Sequence, residues 1–431
     1  MHSLDTALLD AAIRELPNGE LSTLREAAAK QLRASGLPTQ KDEAWRYTNL
    51  APAIELTNRW LADLPAHGTA EGHDIEQGTA ADTLDAECLV IRDGDIDADA
   101  CAATQQAFGG DVAIERLSQS NLGATPVIES AIASLNAALL RDALIVRVNE
   151  NAVLSKPIAF IHDDTASETG SSSHARVIVL LERNAKADFI EVQTSSGAGE
   201  HFANIVTEFH VGERAHCGFL QLQQRQLEHM SVNSVLVHID TDGRFEGSTV
   251  QTGGRLVRNN VQLRIDGKGA YGGMAGLTIS DGEQHVDNCV FADHAKPNGT
   301  TRQDYRGIAG GKSRTVFNGK ALVQVGADGT DAEQSNHNLL LSPKAEIDTK
   351  PELEIYADDV KCAHGATVGE LDADALFYLR SRGLSADQAE RVLTRAFAAR
   401  MLTALENSPA AALAEQAVET KLSAMIGGRG Q

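Results

Sequence analysis

The sequence predicts a mainly β protein, with a parallel β-helix core and an α-helical domain at each end. Three features carry that expectation. Helix-period apolar stripes are confined to the two ends of the chain. The middle holds an internal repeat with strand periodicity, at intervals of about thirty residues. No helical pattern interrupts the repeat, which argues against a βαβ sheet. A unit of strand, turn and strand can then bury its apolar face only by stacking on the next unit. A β-sandwich is the runner-up, although hairpins do not usually keep so constant a register.

The repeat is read from five turn centres: Ala152, Ala185, Ala215, Gly243 and Gly269, at intervals of 33, 30, 28 and 26 residues. On a strand, every second residue shares a face. Eight, six and four positions before each centre lie Leu144, Val146 and Val148; Val177, Val179 and Leu181; Thr207, Phe209 and Val211; Val235, Val237 and Ile239; and Val261, Leu263 and Ile265. Fourteen of these fifteen are apolar and the other is β-branched. Val148, Leu181, Val211, Ile239 and Ile265 are therefore predicted to form one interior column. Small residues at the centres suit tight corners. The same register extends to Ala345, with Leu341, Leu339 and His337 before it, and to Val360 as the last centre.

At the N-terminus, Leu4, Leu8, Leu9 and Ile13 make a helical stripe that stops at Pro17. Thr23 and Glu26 have the spacing of a capping box for a second helix, closed by Gly36 and Pro38. "EAWRYTNL" follows. Trp45 and Tyr47 suit either a binding platform or a lock between helix and neighbouring domain. The chain then thins to "HGTAEGHDIEQGTAAD", an expected exposed linker. Near the C-terminus, Asp372 can cap "ADALFYLRSR", which Gly383 ends, and Ser385 and Gln388 form a second capping box. Ala389, Val392, Leu393, Ala396, Phe397 and Met401 give a helical stripe, and Ser408 and Pro409 begin a last helix. The division is thus a helical domain at 1–66, a linker at 67–83, a β-helix at 84–370 with an irregular lead-in at 84–140, and a helical domain at 371–431. The terminal helices either cap the open end of the solenoid or present an adaptor surface.

Length and composition fit this picture. The 431 residues are 42% hydrophobic, enough for a large core, and carry a formal net charge of −22. That charge argues against nucleic acid, whose phosphates call for Lys and Arg clusters. The first residues lack the basic start and apolar run of a signal peptide, and no apolar run is long enough to span a membrane. A cytoplasmic protein is expected. The five cysteines, Cys88, Cys101, Cys217, Cys289 and Cys362, form no CxxC pair and are odd in number. A self-contained zinc or Fe–S site and a disulfide framework are both disfavoured.

One stretch concentrates chemistry. In "DDVKCAHGATVG", Cys362 and His364 are two apart, so on a strand they share a face. Thiolate and imidazole are good ligands for iron or zinc and also the start of a nucleophile–base pair. The repeat register offers a blander alternative. Cys362 falls two after the Val360 centre, matching Leu154, Ala187, Cys217, Phe245 and Tyr271, and His364 matches Phe189, Phe219 and Lys156. On that ground Cys362 is interior filler. His210 and His238 fall off the inward register and are expected on the outer face, scattered and solvated. "GIAGGKSRT" contains GGKS, but Arg306 breaks the P-loop spacing and no helix follows, so nucleotide binding is rejected.

Three longer stretches resemble a known family. "GLPTQKDEAWRYTNL" is similar to an N-terminal signature, and "LNAALLRDALIVRVNENAVLSKPI" to the start of the β-helix, of the SufB/SufD family of iron–sulfur cluster assembly proteins. "SNHNLLLSPKAEIDTKPELEIYADDVKCAHGATVGELDADALFYLRSRGLSADQAERVL" matches the family's C-terminal block. The chain resembles the SufD branch. The SufB branch usually carries a cysteine where Asn336 stands here, and a "HEAT"-like string in place of "HGAT".

The resemblance implies a right-handed parallel β-helix and a non-catalytic subunit of an assembly scaffold. It implies pairing with SufB through the last β-helix strands, and binding of the ATPase SufC by the C-terminal helices. Phe377, Tyr378 and Arg382 are the expected contacts. It also implies a role in iron admission or nascent cluster assembly where the chain meets SufB. No cofactor is expected to be stably bound. His364, and secondarily Cys362, are candidate transient ligands for iron or an Fe–S cluster shared with SufB. A homodimer of the isolated chain is left open. A polysaccharide-acting β-helix enzyme and a self-sufficient metalloenzyme are the alternatives from other classes.

Overall fold

A computed structural model describes residues 3–17, 19–63, 84–120, 130–403, 405, 408 and 410–427. The expected linker at 67–83 and the capping role of Pro409 lie outside these residues. Three helices open the chain: α1 (Thr6–Glu15), α2 (Leu21–Ser35) and α3 (Ala51–Asp63). A lead-in follows, with β1 (Glu87–Arg92), β2 (Asp95–Ile96), α4 (Ala98–Phe108), β3 (Val112–Arg116) and α5 (Ala131–Leu139). Then come β4 (Leu144–Val148), β5 (Ile158–Thr165), β6 (Ser171–Leu181), β7 (Lys186–Ser196), β8 (His201–Val211), β9 (His216–Gln223), β10 (Met230–Ile239) and β11 (Arg244–Gln251). They continue through β12 (Leu256–Ile265), β13 (Tyr271–Ser280), β14 (His285–His294), β15 (Thr300–Ala309), β16 (Arg314–Val323), β17 (Asp331–Leu340), β18 (Glu346–Ile355) and β19 (Lys361–Gly369). Helices α6 (Ala373–Ser381), α7 (Ala386–Thr403) and α8 (Ala411–Gly427) close the chain.

From β4 onward, odd and even strands separate into two stacked sheets. One runs β19-β17-β15-β13-β11-β9-β7-β5-β1-β2 and the other β18-β16-β14-β12-β10-β8-β6-β4-β3. From β4 onward every pairing is to a strand two further along and parallel. This is a parallel β-helix of two sheets, and the strand ladder carries its backbone hydrogen bonds from coil to coil.

The predicted interior column is present. Val148, Leu181, Val211, Ile239 and Ile265 are consecutive partners in the second sheet, each 2% exposed or less. Phenylalanines fill the lumen beside them, with Phe209 at 4.9 Å from Phe219 and 5.3 Å from Phe245 between ring centroids. Each such side chain contributes roughly 1.5–3 kcal/mol by leaving water.

The corners work differently from the sequence expectation. The strained residue is the one before the small centre. Asn151, Asn184, Arg214, Asp242, Gly269, Asn298 and Gly329 all have positive φ, from 54° to 75°. Each donates its N–H to a carbonyl of the next coil: Arg183, Glu213, Thr241, Lys268, Pro297, Asp328 and Asp359 in turn. Asn, Asp and Gly tolerate that left-handed conformation best. Gly269 therefore belongs to the left-handed series, and Ala270 is the true equivalent of Gly243. The turn carries one extra residue, and both Asp266 and Gly267 donate to the Ile239 carbonyl. Phe245 consequently pairs with Gly272 rather than Tyr271. Separately, Phe189 pairs with Ile158 rather than Lys156, the register shifting after the Val153–Lys186 bridge. Ala345 turns the opposite corner, between β17 and β18. Leu339 therefore packs on the outer face of the first sheet with Leu341 against it, and His337 faces outward beside Thr367.

Helices cover part of the outer face of each sheet. Helices α1, α2, α3 and α5 pack on the second sheet around Ile145, Ile178, Phe202, Met230 and Val232. The second helix starts at Leu21, ahead of the expected Thr23–Glu26 box, and the Ser22 hydroxyl accepts from the Gly19 N–H. The "EAWRYT" aromatics act as a lock. The Arg258 guanidinium lies 3.9 Å over the Trp45 ring, Arg258 pairs with Asp287, and Asp287 also accepts from Thr48 Oγ1. Arg314 lies 5.5 Å from the Tyr47 ring. Cation–π contacts desolvated in this way contribute on the order of 1–2 kcal/mol each.

The C-terminal helices do not cap the end of the solenoid. Ala398, Met401, Ala414, Val418, Leu422 and Ile426 cover the side of the first sheet, over Leu222, Val250, Leu277 and Ile308. The Ser385–Gln388 box forms as expected, with Ser385 N–H to Gln388 Oε1 at 2.9 Å and Gln388 N–H to Ser385 Oγ at 3.2 Å. The buried stripe of α7 is rotated from the expected one: Ala389, Thr394, Ala398 and Met401 are buried, whereas Val392 and Ala396 are exposed.

Candidate metal-handling site at the open end

The last strand of each sheet has a partner on one side only. No residue of β18 is buried, and β19 is exposed along its length except at half-buried Cys362. An edge of this kind presents unpaired N–H and C=O groups ready for another strand.

Cys362 and His364 do share a face, and it is the lumen face. Cys362 pairs with Ala332 and continues the column Ala187, Cys217, Phe245, Gly272, Thr301, Ala332. It packs against the interior apolar cluster. His364 pairs with Gln334 and continues Phe189, Phe219, Gly247, Met274, Gln303, Gln334. The inward register expected for Cys362 is therefore present. The residues follow the inward register, and because they sit on the last coil they line its open mouth.

Burial pushes the Cys362 thiol above its ordinary range, and Asp331 pushes it the same way, against the Ala332 backbone hydrogen bond. A free Cys362 stays protonated at neutral pH, and a metal or a partner's positive charge is needed to draw out the thiolate. Among the described residues, no three His, Cys, Asp or Glu side chains converge on a point where they could hold a metal. The described residues thus supply at most a part of a ligand set here.

Of the expected partner contacts, Phe377 is 75% and Tyr378 is 56% exposed, and Arg382 lies 5.2 Å from the Tyr378 ring. No residue of α6 is buried. Tyr378 and Arg382 are thus in contact, and Phe377 is exposed on the same helix. The "GIAGGKSRT" stretch is strand, corner and strand, β15 into β16, as the rejected P-loop requires. His210 and His238 do lie on the outer face but are not scattered. They are register partners with rings 5.2 Å apart and stacked, and His238 Nδ1 is 3.0 Å from Asp266.

The sequence reading missed a polar lumen. Asp164 pairs with buried Arg225, and His201 bonds Ser171 at 2.8 Å and Ser173 at 3.0 Å. Glu191 accepts from Thr207 at 2.6 Å, Gln193 at 2.6 Å and Gln221 at 2.9 Å. The signal was available: Gln193, Gln223 and Gln251 stand eight residues after successive turn centres and are partners in one column.

Comparison with known proteins agrees with this architecture. The family model described as the SUF system FeS cluster assembly SufBD core domain matches residues 162–397. The Escherichia coli iron–sulfur cluster assembly protein SufD is 31% identical over 382 residues, 88% of each chain. A Synechocystis iron–sulfur cluster assembly SufBD family protein is 30% identical over 390 residues, 88% of this chain and 86% of its own. Bacillus subtilis SufD is 26% identical over 292 residues, 65% of this chain and 64% of its own. The chain belongs to the SufBD family of iron–sulfur cluster assembly proteins. Within that family it is of the SufD type. The family does not favour the polysaccharide-acting alternative. No helix among the described residues is long and apolar enough to cross a membrane.

Proposed function

We propose that this chain is a non-catalytic scaffold subunit that joins a SufB partner through the open end of its β-helix and an ATPase of the SufC type through α6 and α7. The observation that carries the reading is the uncovered last coil. The terminal helices turn onto the flank and leave one edge each of β18 and β19 without a partner strand. A partner strand laid on β19 would stand directly beside Cys362 and His364 and could complete the ligand set that one chain lacks. His364 then helps bind iron or a nascent cluster, and Cys362 contributes where the partner draws out its thiolate. The same edge explains how two copies of the isolated chain could pair.

The test is cluster accumulation in the co-expressed complex. His364→Ala is expected to leave folding and subunit stoichiometry intact and to lower cluster content several-fold. Cys362→Ser should act less on cluster content, or show instead as lost stability, since its side chain packs on the lumen core. Unchanged cluster content in an intact His364→Ala complex overturns the shared-site reading.

The ATPase contact needs point variants. Removing 371–431 would strip α7 and α8 from the apolar flank over Leu222, Val250 and Leu277 and compromise the fold. Phe377 and Tyr378 are themselves exposed, so Phe377→Ala with Tyr378→Ala removes no buried side chain. Aromatic hot spots contribute about 2 kcal/mol or more, so ATPase pull-down should weaken at least tenfold with the melting temperature unchanged. Full retention of the ATPase would refute the assignment.

A further inference from the structure

The column that ends in His364 has a second feature. One and two coils further in stand Gln334 and Gln303, in register with it. Both are 2% exposed, and the Oε1 atoms of both are buried without a hydrogen-bond partner. Their amide nitrogens point across the lumen, Gln303 Nε2 to the Lys320 carbonyl at 3.5 Å and Gln334 Nε2 to the Glu352 carbonyl at 3.4 Å. The two contacts are equivalent, because Lys320 and Glu352 are themselves register partners. Gly319 lets the Gln303 oxygen approach the facing strand, since a Cβ there would stand 3.0 Å from it. The Tyr305 hydroxyl, one column over, is also buried and unpartnered.

A buried unpaired acceptor costs about 1–3 kcal/mol, and here two recur in successive coils behind a histidine at the mouth. Such a row calls for a donor or a cation. Adjacent strands are about 4.8 Å apart, so a cation midway between equivalent oxygens of two coils lies about 2.4 Å from each, within the range of oxygen-coordinated divalent metals.

We propose that Gln303 and Gln334, with His364 at the mouth, form an inward-running column that takes a divalent cation of the Fe²⁺ and Mn²⁺ class through their amide oxygens. The inference rests on the iron-handling reading of the open end only for the identity of the metal. Amide oxygen and imidazole suit such borderline ions. All three donors are uncharged, so binding is weak and exchangeable, as suits an ion in transit to a shared site.

Mn²⁺ titration of the purified full chain, with free metal counted by electron paramagnetic resonance, tests the column. Gln334→Leu and Gln303→Leu should each weaken one class of site at least tenfold relative to the unaltered chain. Gln334→Glu, which keeps an oxygen at that place, should retain or tighten it. Mn²⁺-soaked crystals should show an anomalous peak beside Gln303 and Gln334. If both leucine variants, confirmed folded by their melting curves, bind Mn²⁺ as the unaltered chain does, the column is refuted. In that case a cluster deficit in the His364→Ala complex would still stand. Conversely, intact Mn²⁺ binding by the column with normal clusters in His364→Ala would overturn the shared site alone.

Discussion

Val237→Asp is expected to abolish the folded β-helix at neutral pH. Val237 is 1% exposed and sits in the lumen between its register partners Phe209 and Leu263. Its neighbours on the same face of its own strand are Val235 and Ile239, both apolar. An aspartate there has no cation to pair with. It either ionises at a cost of several kcal/mol or stays protonated with its polar atoms unsatisfied, at a cost of a few. The lost valine packing adds to either. Total stability of a protein is about 5–15 kcal/mol, so a penalty of this size is decisive. Stacking also spreads the damage, because each coil is stabilised by the coils on both sides. Val237→Ala, which leaves only a small cavity, should remain folded and lose about 2 kcal/mol. Denaturant unfolding followed by circular dichroism distinguishes the two. A cooperative Val237→Asp transition near that of the unaltered chain would mean that this column is not the core.

The column was legible in the sequence because it repeats. Five coils put aliphatic residues at equal offsets from a turn, and only a lumen explains that. The corners were legible less fully, since the left-handed residue precedes the small one and varies among Asn, Arg, Asp and Gly. One extra residue near Gly269 was enough to shift Tyr271 out of the lumen and Gly272 into it. Which corner Ala345 occupies could not be read from spacing alone, because both corners of a coil use tight turns. The lock of Trp45 by Arg258 joins residues more than two hundred positions apart, and no local pattern reports it. At the open end, the shared face of Cys362 and His364 followed from strand alternation. That the face is the lumen mouth followed only once the terminal helices were seen on the flank. The orphaned oxygens of Gln303 and Gln334 depend on side-chain orientation, which spacing does not encode.

Acid should unfold this protein well above the pH at which its surface carboxylates titrate. Burial holds His174 down to about 3, His201 to about 4 and His294 to about 4, and it lowers His162, His229 and His285 as well. These imidazoles stay neutral in the folded protein but take up protons near pH 6.5 once unfolded. The unfolded state therefore binds more protons below that value, and stability rises with pH through this window. The contribution is fully present above about pH 6.5 and is lost as pH falls toward the folded values near 4. Each histidine counts for about 1.4 kcal/mol per pH unit within the window, so three of them across one and a half units approach the whole stability of a domain. Asp164, held down to about 2 chiefly by Arg225 against its burial, adds a loss of the same sign at still lower pH. Asp93 acts oppositely. Burial raises it to about 6, so its deprotonation costs stability as pH rises from about 4 to 6. One opposing proton does not offset three. Melting temperature should fall steeply between pH 6.5 and 4.5, and His201→Gln should flatten that slope by about one proton if it still folds. His174→Gln, one coil before it and lowered in part by His201, provides a second readout. A melting temperature constant to pH 4.5 would show that these histidines are solvated or paired in the folded state.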